Sequence, residues 1–258
     1  KAYDLLIQAE SGFLSVTGSA DEPAKAGCSV ADIAAGMVAY SQVLAALLQR
    51  GRTGRGGRID VSMLESMVEW MGFPMYYAFD GATPPPRAGA AHATIFPYGP
   101  FPAGDGQSVL LSVQNEREWR AFCERVLQRP DLAGDERFAS NSPRVAHRDA
   151  LRAAIVESFA TMTAEAVIDR LDSAQIANAK VNDMGGVWAH PQLQARGRWT
   201  EVGTAAGPVP ALLPPGRTQA YAPRMGAVPG LGQHTDAILA ELGWSASEIA
   251  GLRAAQVI

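Results

Sequence analysis

The sequence predicts an α/β fold, and three observations carry that expectation. Ile59–Met63 alternates apolar and polar residues, and Val109–Val113 is an apolar run of strand composition. Longer segments with helical periodicity lie around them, the most apolar being Ile33–Leu48. The chain has 258 residues, 47% apolar and 19% charged, enough to bury a core without disulfides or metal. The order is not a clean strand–helix–strand series. No G-x-G-x-x-G follows a strand, and neither a Walker A nor a G-x-S-x-G motif is present.

Taken in order, Tyr3–Ile7 opens the chain as a folded segment. Asp32 precedes the Ala-rich run as its expected N-cap, because a short carboxylate accepts the free N–H groups of a first turn. That run reads as a buried helix, too short to span a bilayer and interrupted by Tyr40, Ser41 and Gln42. Gly51, between Arg50 and Arg52, is its expected stop. A basic glycine-rich loop, Arg52–Arg58, leads into the strand at Ile59–Met63, and Leu64–Tyr77 is helical again. Residues 80–91 carry three consecutive prolines and read as an extended interdomain linker.

Beyond the linker, Phe96, Tyr98 and Phe101 read as core aromatics, and Gly104-Asp105-Gly106 as a hairpin turn before the strand at Val109–Val113. Glu116–Val126 and Asp149–Leu171 are helical, the latter with breaks. Residues 174–188 form an apolar segment with a turn at Gly185-Gly186. Residues 203–232 are rich in Pro and Gly and read as a surface wrap. Two helices, Thr235–Leu242 and Ser245–Ala255, end the chain.

Charge excludes one class of function. With 22 basic and 26 acidic residues the net charge is −4, a poor match to a general nucleic-acid binder. Cys28 and Cys123 are too few for a disulfide framework or a Cys-rich zinc site, and read as small buried apolar residues in a cytoplasmic protein. His92, His147, His190 and His234 lack metal-pair spacing, so no metal is expected.

The residues alone leave the chemistry open. Asp32 at a helix start is either an ordinary cap or a carboxylate nucleophile stabilised by the helix dipole. The Arg52–Arg58 loop is either a solvated turn or a phosphate cradle. His92 is either a loop histidine bonded to backbone or a substrate contact.

Five blocks in order narrow this choice. They are Tyr3–Ala9 with Ser11-Gly12 and Thr17-Gly18; Ala31-Asp32 with Gly36; Arg52–Gly56 leading into Ile59–Ser62; Pro97–Phe101 with Asp105-Gly106; and Leu231–Thr235. Together they resemble the class III CoA-transferases of the CaiB/BaiF type. The resemblance implies that Asp32 is the catalytic residue. Its carboxylate would attack an acyl-CoA thioester to give a mixed anhydride and free CoA thiolate. The thiolate would then attack the aspartyl carbonyl, giving an aspartyl-CoA thioester, and an acceptor acid would reverse the sequence. Lys1, Ala2 and Arg55 would contact CoA, and Tyr3, Met63 and His92 the substrate. CoA and acyl-CoA are substrates in this scheme, with no tightly bound cofactor.

The implied fold is a partial Rossmann-like large domain plus a smaller α+β domain, in an intertwined homodimer. Residues 1–79 would belong to the large domain, 80–91 to the linker, 92–186 to the small domain, and 187–258 to the return linker and the last helices of the large domain. The start at Lys1, without Met, reads as lacking the family's N-terminal part. Small carboxylic acids, with Arg87 and His92 facing a dicarboxylic acyl group, are the expected partners, without nucleic acid or membrane. An α-methylacyl-CoA racemase is the alternative; Ala2-Tyr3-Asp4 places tyrosine where racemases have their His, and tyrosine is a poor base at neutral pH. A truncated, non-catalytic dimerising module is the third reading.

Overall fold

Helices alone build the first eighty residues of the computed structural model, which describes the whole chain, Lys1–Ile258. They are α1 (Asp4–Glu10), α2 (Phe13–Val16), α3 (Val30–Thr53), α4 (Met63–Glu69) and α5 (Gly72–Tyr77). The expected strand at Ile59–Met63 does not form. Residues 59–62 pair with no other strand, and Met63 already opens α4 behind Ser62, whose hydroxyl accepts from the Glu65 N–H at 3.2 Å. Alternation here marks extended backbone, not sheet.

The long helix also departs from expectation. α3 runs through Gly51 and is closed by Gly54, whose φ of 71° and N–H bond to the Arg50 carbonyl make the left-handed cap. One glycine inside a long helix costs only about 1 kcal/mol, so Gly51 does not stop it. The helix is not buried: only Ala31 and Ala34 are, while Met37, Tyr40, Leu44 and Leu48 are exposed. At 24 residues it is long and apolar enough to cross a membrane by length and composition, unlike the shorter span read from the sequence. Its first turn nonetheless packs on α1 and α4 through a small cluster of Ile7, Ala31 and Met67.

The larger core sits on a three-stranded antiparallel sheet in the order β1 (Tyr98–Pro102), β2 (Ser108–Ser112), β3 (Ala177–Lys180). Helices α6 (Glu116–Ala121, continued as a π-helix to Leu127), α7 (Pro130–Ala133), α8 (Asn141–Ala146), α9 (Arg148–Phe159) and α10 (Ala164–Ser173) fill the chain between β2 and β3. Phe101, Val109, Leu111, Phe122, Ile155 and Leu171 meet in its centre. The hairpin turn at Gly104 lies so close to the end of α9 that a Cβ there would stand 2.1 Å from the Ala160 carbonyl oxygen. Cys123 is buried as expected, and burial pushes its thiol up to about 12; Cys28, against expectation, is exposed.

Two polar devices brace this core. Arg144 is almost fully buried, pairs with Glu116 at 2.8 Å, donates to the carbonyls of Phe96 and Phe138, and lies over the Trp119 ring. Asp105, in the hairpin turn, accepts from the N–H groups of Ala164 and Gln107, and those bonds hold its carboxyl below the usual range.

By spatial clustering the chain divides into two units, Lys1–Val181 and Asn182–Ile258. The second holds α11 (Met184–Trp188), α12 (Pro191–Ala195), a hairpin of β4 (Trp199–Thr204) and β5 (Gly207–Leu212), then α13 (Thr235–Glu241) and α14 (Ala246–Ala254). The expected turn at Gly185-Gly186 lies inside α11 instead, capped by Asp183, which accepts from the Gly186 N–H at 2.7 Å. The hairpin occupies part of the expected surface wrap. Pro208 and Pro210 fit β5 because they alternate, so both fall on the pairs that need no N–H donor. Ser245 and Glu248 form a capping box at the start of α14.

Two stability predictions follow from the bracing. Arg144→Ala strands the carbonyls of Phe96 and Phe138 and is expected to cost about 1–3 kcal/mol for each in urea denaturation. Glu116→Gln is expected to cost less, because Arg144 keeps its two carbonyl partners. Asp105 stabilises the fold above the unfolded carboxyl range near pH 4, and that contribution is lost as pH falls through its lower folded value. Thermal melts from about pH 5 to about pH 2 should therefore show a shallower acid loss in Asp105→Asn than in the parent.

Candidate active site

Asp32 stands at the third position of α3, inside the first turn, and is not the N-cap. Ser29 occupies the cap position but makes no side-chain capping bond. The cap comes from α1: Asp4 Oδ1 accepts from the Ala31 N–H at 2.8 Å. Asp4 Oδ2 accepts from Gln8 Nε2 at 2.7 Å, and Gln8 Oε1 accepts from the Ala26 N–H at 2.9 Å. Gln8 is fully buried, so each of its amide atoms is committed. This network ties α1 to the loop before α3 and to the start of α3 itself. Its only sequence signal is the Asp4/Gln8 spacing of four, which places both on one helix face.

The Asp32 side chain, by contrast, is exposed and engaged by no protein hydrogen bond or ion pair. A fixed backbone therefore presents a free carboxylate at the positive end of a 24-residue helix. Such a group is accessible to a thioester carbonyl, and oriented backbone N–H groups beside it can oppose charge that develops there.

The other sequence-predicted residues divide into three places. Lys1, Ala2 and Tyr3 lie exposed just before Asp4, and the Tyr3 carbonyl accepts the Ile7 N–H at 3.1 Å. Met63 packs beside Ala31 and Met67, so it shares the Asp32 end of α3. Arg55 lies past the opposite end of α3, roughly 30 Å away along a helix rising 1.5 Å per residue. In the same loop Arg58 is paired with Asp60 at 2.6 Å, both exposed.

Arg87 does not face a ligand as expected. Its Nε and Nη2 donate to the carbonyls of Ser19 and Ala20 at 2.8 and 2.9 Å. Nearby the Gly89 N–H donates to the Gly18 carbonyl at 2.8 Å. Gly18 is required here: its φ is 120°, and a Cβ would meet the Glu22 carbonyl oxygen at 2.3 Å. The Pro-rich linker is thereby laced to the 17–23 loop.

The lacing builds a cavity of about 310 Å³ walled by Val16, Phe73, Pro74, Pro85 and Pro86, with His92 in its lining. His92 Nδ1 accepts from the N–H groups of Thr94 and Ile95 at 3.2 and 3.1 Å, and the ring stacks on Tyr98 at 5.2 Å. Asp32 does not line this cavity. A second cleft, about 500 Å³ between α3 and α4, carries Asp60, Glu65 and Glu69 and so disfavours anions. No cluster of three or more His, Cys, Asp or Glu is placed to hold a metal.

Residues 1–235 match the family model described as CoA-transferase family III. A succinate–glutarate CoA-transferase of Agrobacterium fabrum is 34% identical over 93% of this chain and 60% of its own length. A succinyl-CoA:mesaconate CoA-transferase of Haloarcula hispanica is 34% identical over 78% of this chain and 50% of its own. The crystal structure of a CaiB/BaiF family protein from Brucella suis superposes with a TM-score of 0.79 at 33% identity, covering 93% of this chain and 63% of that one. The chain thus spans half to three-fifths of the length of these curated relatives.

The Asp4 network yields a prediction. Asp4→Ala leaves the Ala31 N–H and Gln8 Nε2 without their acceptor, at a cost of about 1–3 kcal/mol in denaturant melts. Asp4→Asn should fall between the two, since its Oδ1 still accepts from Ala31 while its amide nitrogen faces another donor at Gln8.

Proposed function

The chain belongs to CoA-transferase family III, and from that premise we propose that it moves CoA from an acyl-CoA donor to a carboxylic acid through a covalent aspartyl-CoA intermediate on Asp32. The observation that carries this reading is the free carboxylate of Asp32 in an α3 first turn anchored by Asp4. An unengaged carboxylate is available as a nucleophile, whereas one spent on a cap or an ion pair is not.

In the proposed cycle the Asp32 carboxylate adds to the thioester carbonyl and CoA thiolate leaves. The thiolate attacks the aspartyl carbonyl, and the donor acid departs with one of the aspartate's oxygens. The acceptor carboxylate then attacks the aspartyl-CoA, and CoA thiolate takes the acceptor's acyl group. Asp32 is restored with one oxygen from the acceptor. Each step exchanges groups of similar energy, so no ATP is consumed. Lys1 and Ala2 are proposed contacts of CoA, with Tyr3 and Met63 next to the acyl group and His92 on the substrate; the sequence-based place of Arg55 on CoA is not retained, because Arg55 lies past the far end of α3.

Small dicarboxylates are the proposed acids, supported by relatives named for succinate, glutarate and mesaconate. The proposed active form is an interlocked homodimer with a Rossmann-like large domain, in the cytoplasm. The exposed apolar side of α3 supports burial of that helix in a larger assembly.

Trapping tests the reading. The protein is incubated with a panel of acyl-CoA donors, quenched with hydroxylamine and mapped by mass spectrometry. A hydroxamate at Asp32, absent from Asp32→Asn, is the expected result. An unmodified Asp32 with every donor would sink the mechanism.

A further inference from the structure

α1 contributes Ile7 to the small apolar cluster at the start of α3, and the next residue along it, Gln8, is fully buried as well. A buried amide costs more than an apolar side chain of similar size and is tolerated only where its hydrogen bonds are made. Methionine would fill the same space without that cost, so the amide is not there for stability. What it adds is direction, because Oε1 can only accept and Nε2 can only donate. Oε1 accepts from the Ala26 N–H at 2.9 Å and Nε2 donates to Asp4 Oδ2 at 2.7 Å, while the other Asp4 oxygen accepts from the Ala31 N–H at 2.8 Å.

The span that enters α3 is thereby gripped at both ends, at Ala26 and at Ala31. It has no side-chain cap of its own, since Ser29 stands at the cap position without a capping bond. A helix start held only by its local sequence can begin one residue early or late. At 3.6 residues per turn, each such step turns the side chains of the first turn by about 100° around the axis. With both N–H groups held, a step in either direction breaks a bond and leaves a buried polar group unpaired.

We propose that Gln8 is a positioning residue for Asp32: its buried amide sets the register in which α3 begins, and so the direction in which the Asp32 carboxylate leaves the helix. This inference rests on the proposed transfer through Asp32 and adds the side chain that aims it. Being buried, Gln8 acts only through Asp4 and the backbone of residues 26–31.

Gln8→Met fills the same volume and removes both bonds. With succinyl-CoA as donor it should slow acyl transfer to Asp32, read as hydroxamate formation, by about tenfold to a hundredfold, with the donor KM unchanged and the fold retained by circular dichroism. Reversing the polarity of the pair is the second arm. Asp4→Asn alone sets an amide nitrogen against the Gln8 amide nitrogen, whereas in Asp4→Asn/Gln8→Glu that nitrogen donates to the new carboxylate, which still accepts from the Ala26 N–H. The rate lost in Asp4→Asn should return in the double variant. A parental rate in Gln8→Met, a raised donor KM in place of a slower rate, or a double variant no faster than Asp4→Asn would each overturn the assignment. The transfer reading fails separately, if Asp32 of the parent is trapped with no donor. Residue-resolved hydrogen exchange then decides the positioning role: the Ala31 and Ile33 amides, bonded to Asp4 and to the Ser29 carbonyl, should exchange at least about tenfold faster in Gln8→Met, and equal exchange would overturn it.

Discussion

The arrangement at the start of α3 depends on one carboxylate that a neighbouring helix supplies. Asp4 takes the Ala31 N–H with one oxygen and the buried Gln8 amide with the other, and Gln8 passes the constraint to Ala26. Two helices far apart in sequence are thereby held at a fixed offset. Because Asp4 supplies the cap that Ser29 does not, Asp32 in the same turn is left with its carboxylate free. Relocating the cap from the helix's own residues to a neighbouring helix reconciles a stable helix start with an unengaged carboxylate at Asp32.

The remainder of the first unit serves different physical ends. The antiparallel sheet and its helices form a dense core around Phe101, Leu111 and Phe122, pinned by the buried Arg144. The 80–91 linker is held by backbone bonds and by Arg87, and its prolines become one wall of the cavity that His92 enters. α3 shows little apolar burial beyond its first turn.

What was legible in the sequence, and what was not, has physical reasons. The hairpin around Gly104-Asp105-Gly106 and the two C-terminal helices, the second with its Ser245–Glu248 capping box, depend on residues close in the chain, and they form where expected. The strand at Ile59–Met63 was legible only as extended backbone, because pairing depends on a partner that no local pattern specifies. The β4–β5 hairpin was hidden by Pro208 and Pro210, whose fit depends on register. Asp32 was singled out as a candidate from a block of residues, but its place at the third helical position, the cap from Asp4 and the loss of Arg87 to Ser19 and Ala20 depend on the fold. The bonds from the Thr94 and Ile95 N–H groups to His92 Nδ1 were equally out of reach, since they depend on how that turn folds back on the ring.

The central claim is that the Asp32 carboxylate exchanges an oxygen with the acceptor acid in each turnover. The most direct measurement supplies ¹⁸O-labelled succinate or glutarate with an acyl-CoA donor, digests the protein and weighs its carboxylate-bearing peptides. The account predicts that the peptide containing Asp32 gains ¹⁸O and that peptides containing other carboxylates do not. Turnover with no label on Asp32, or with label on a different carboxylate, would contradict it.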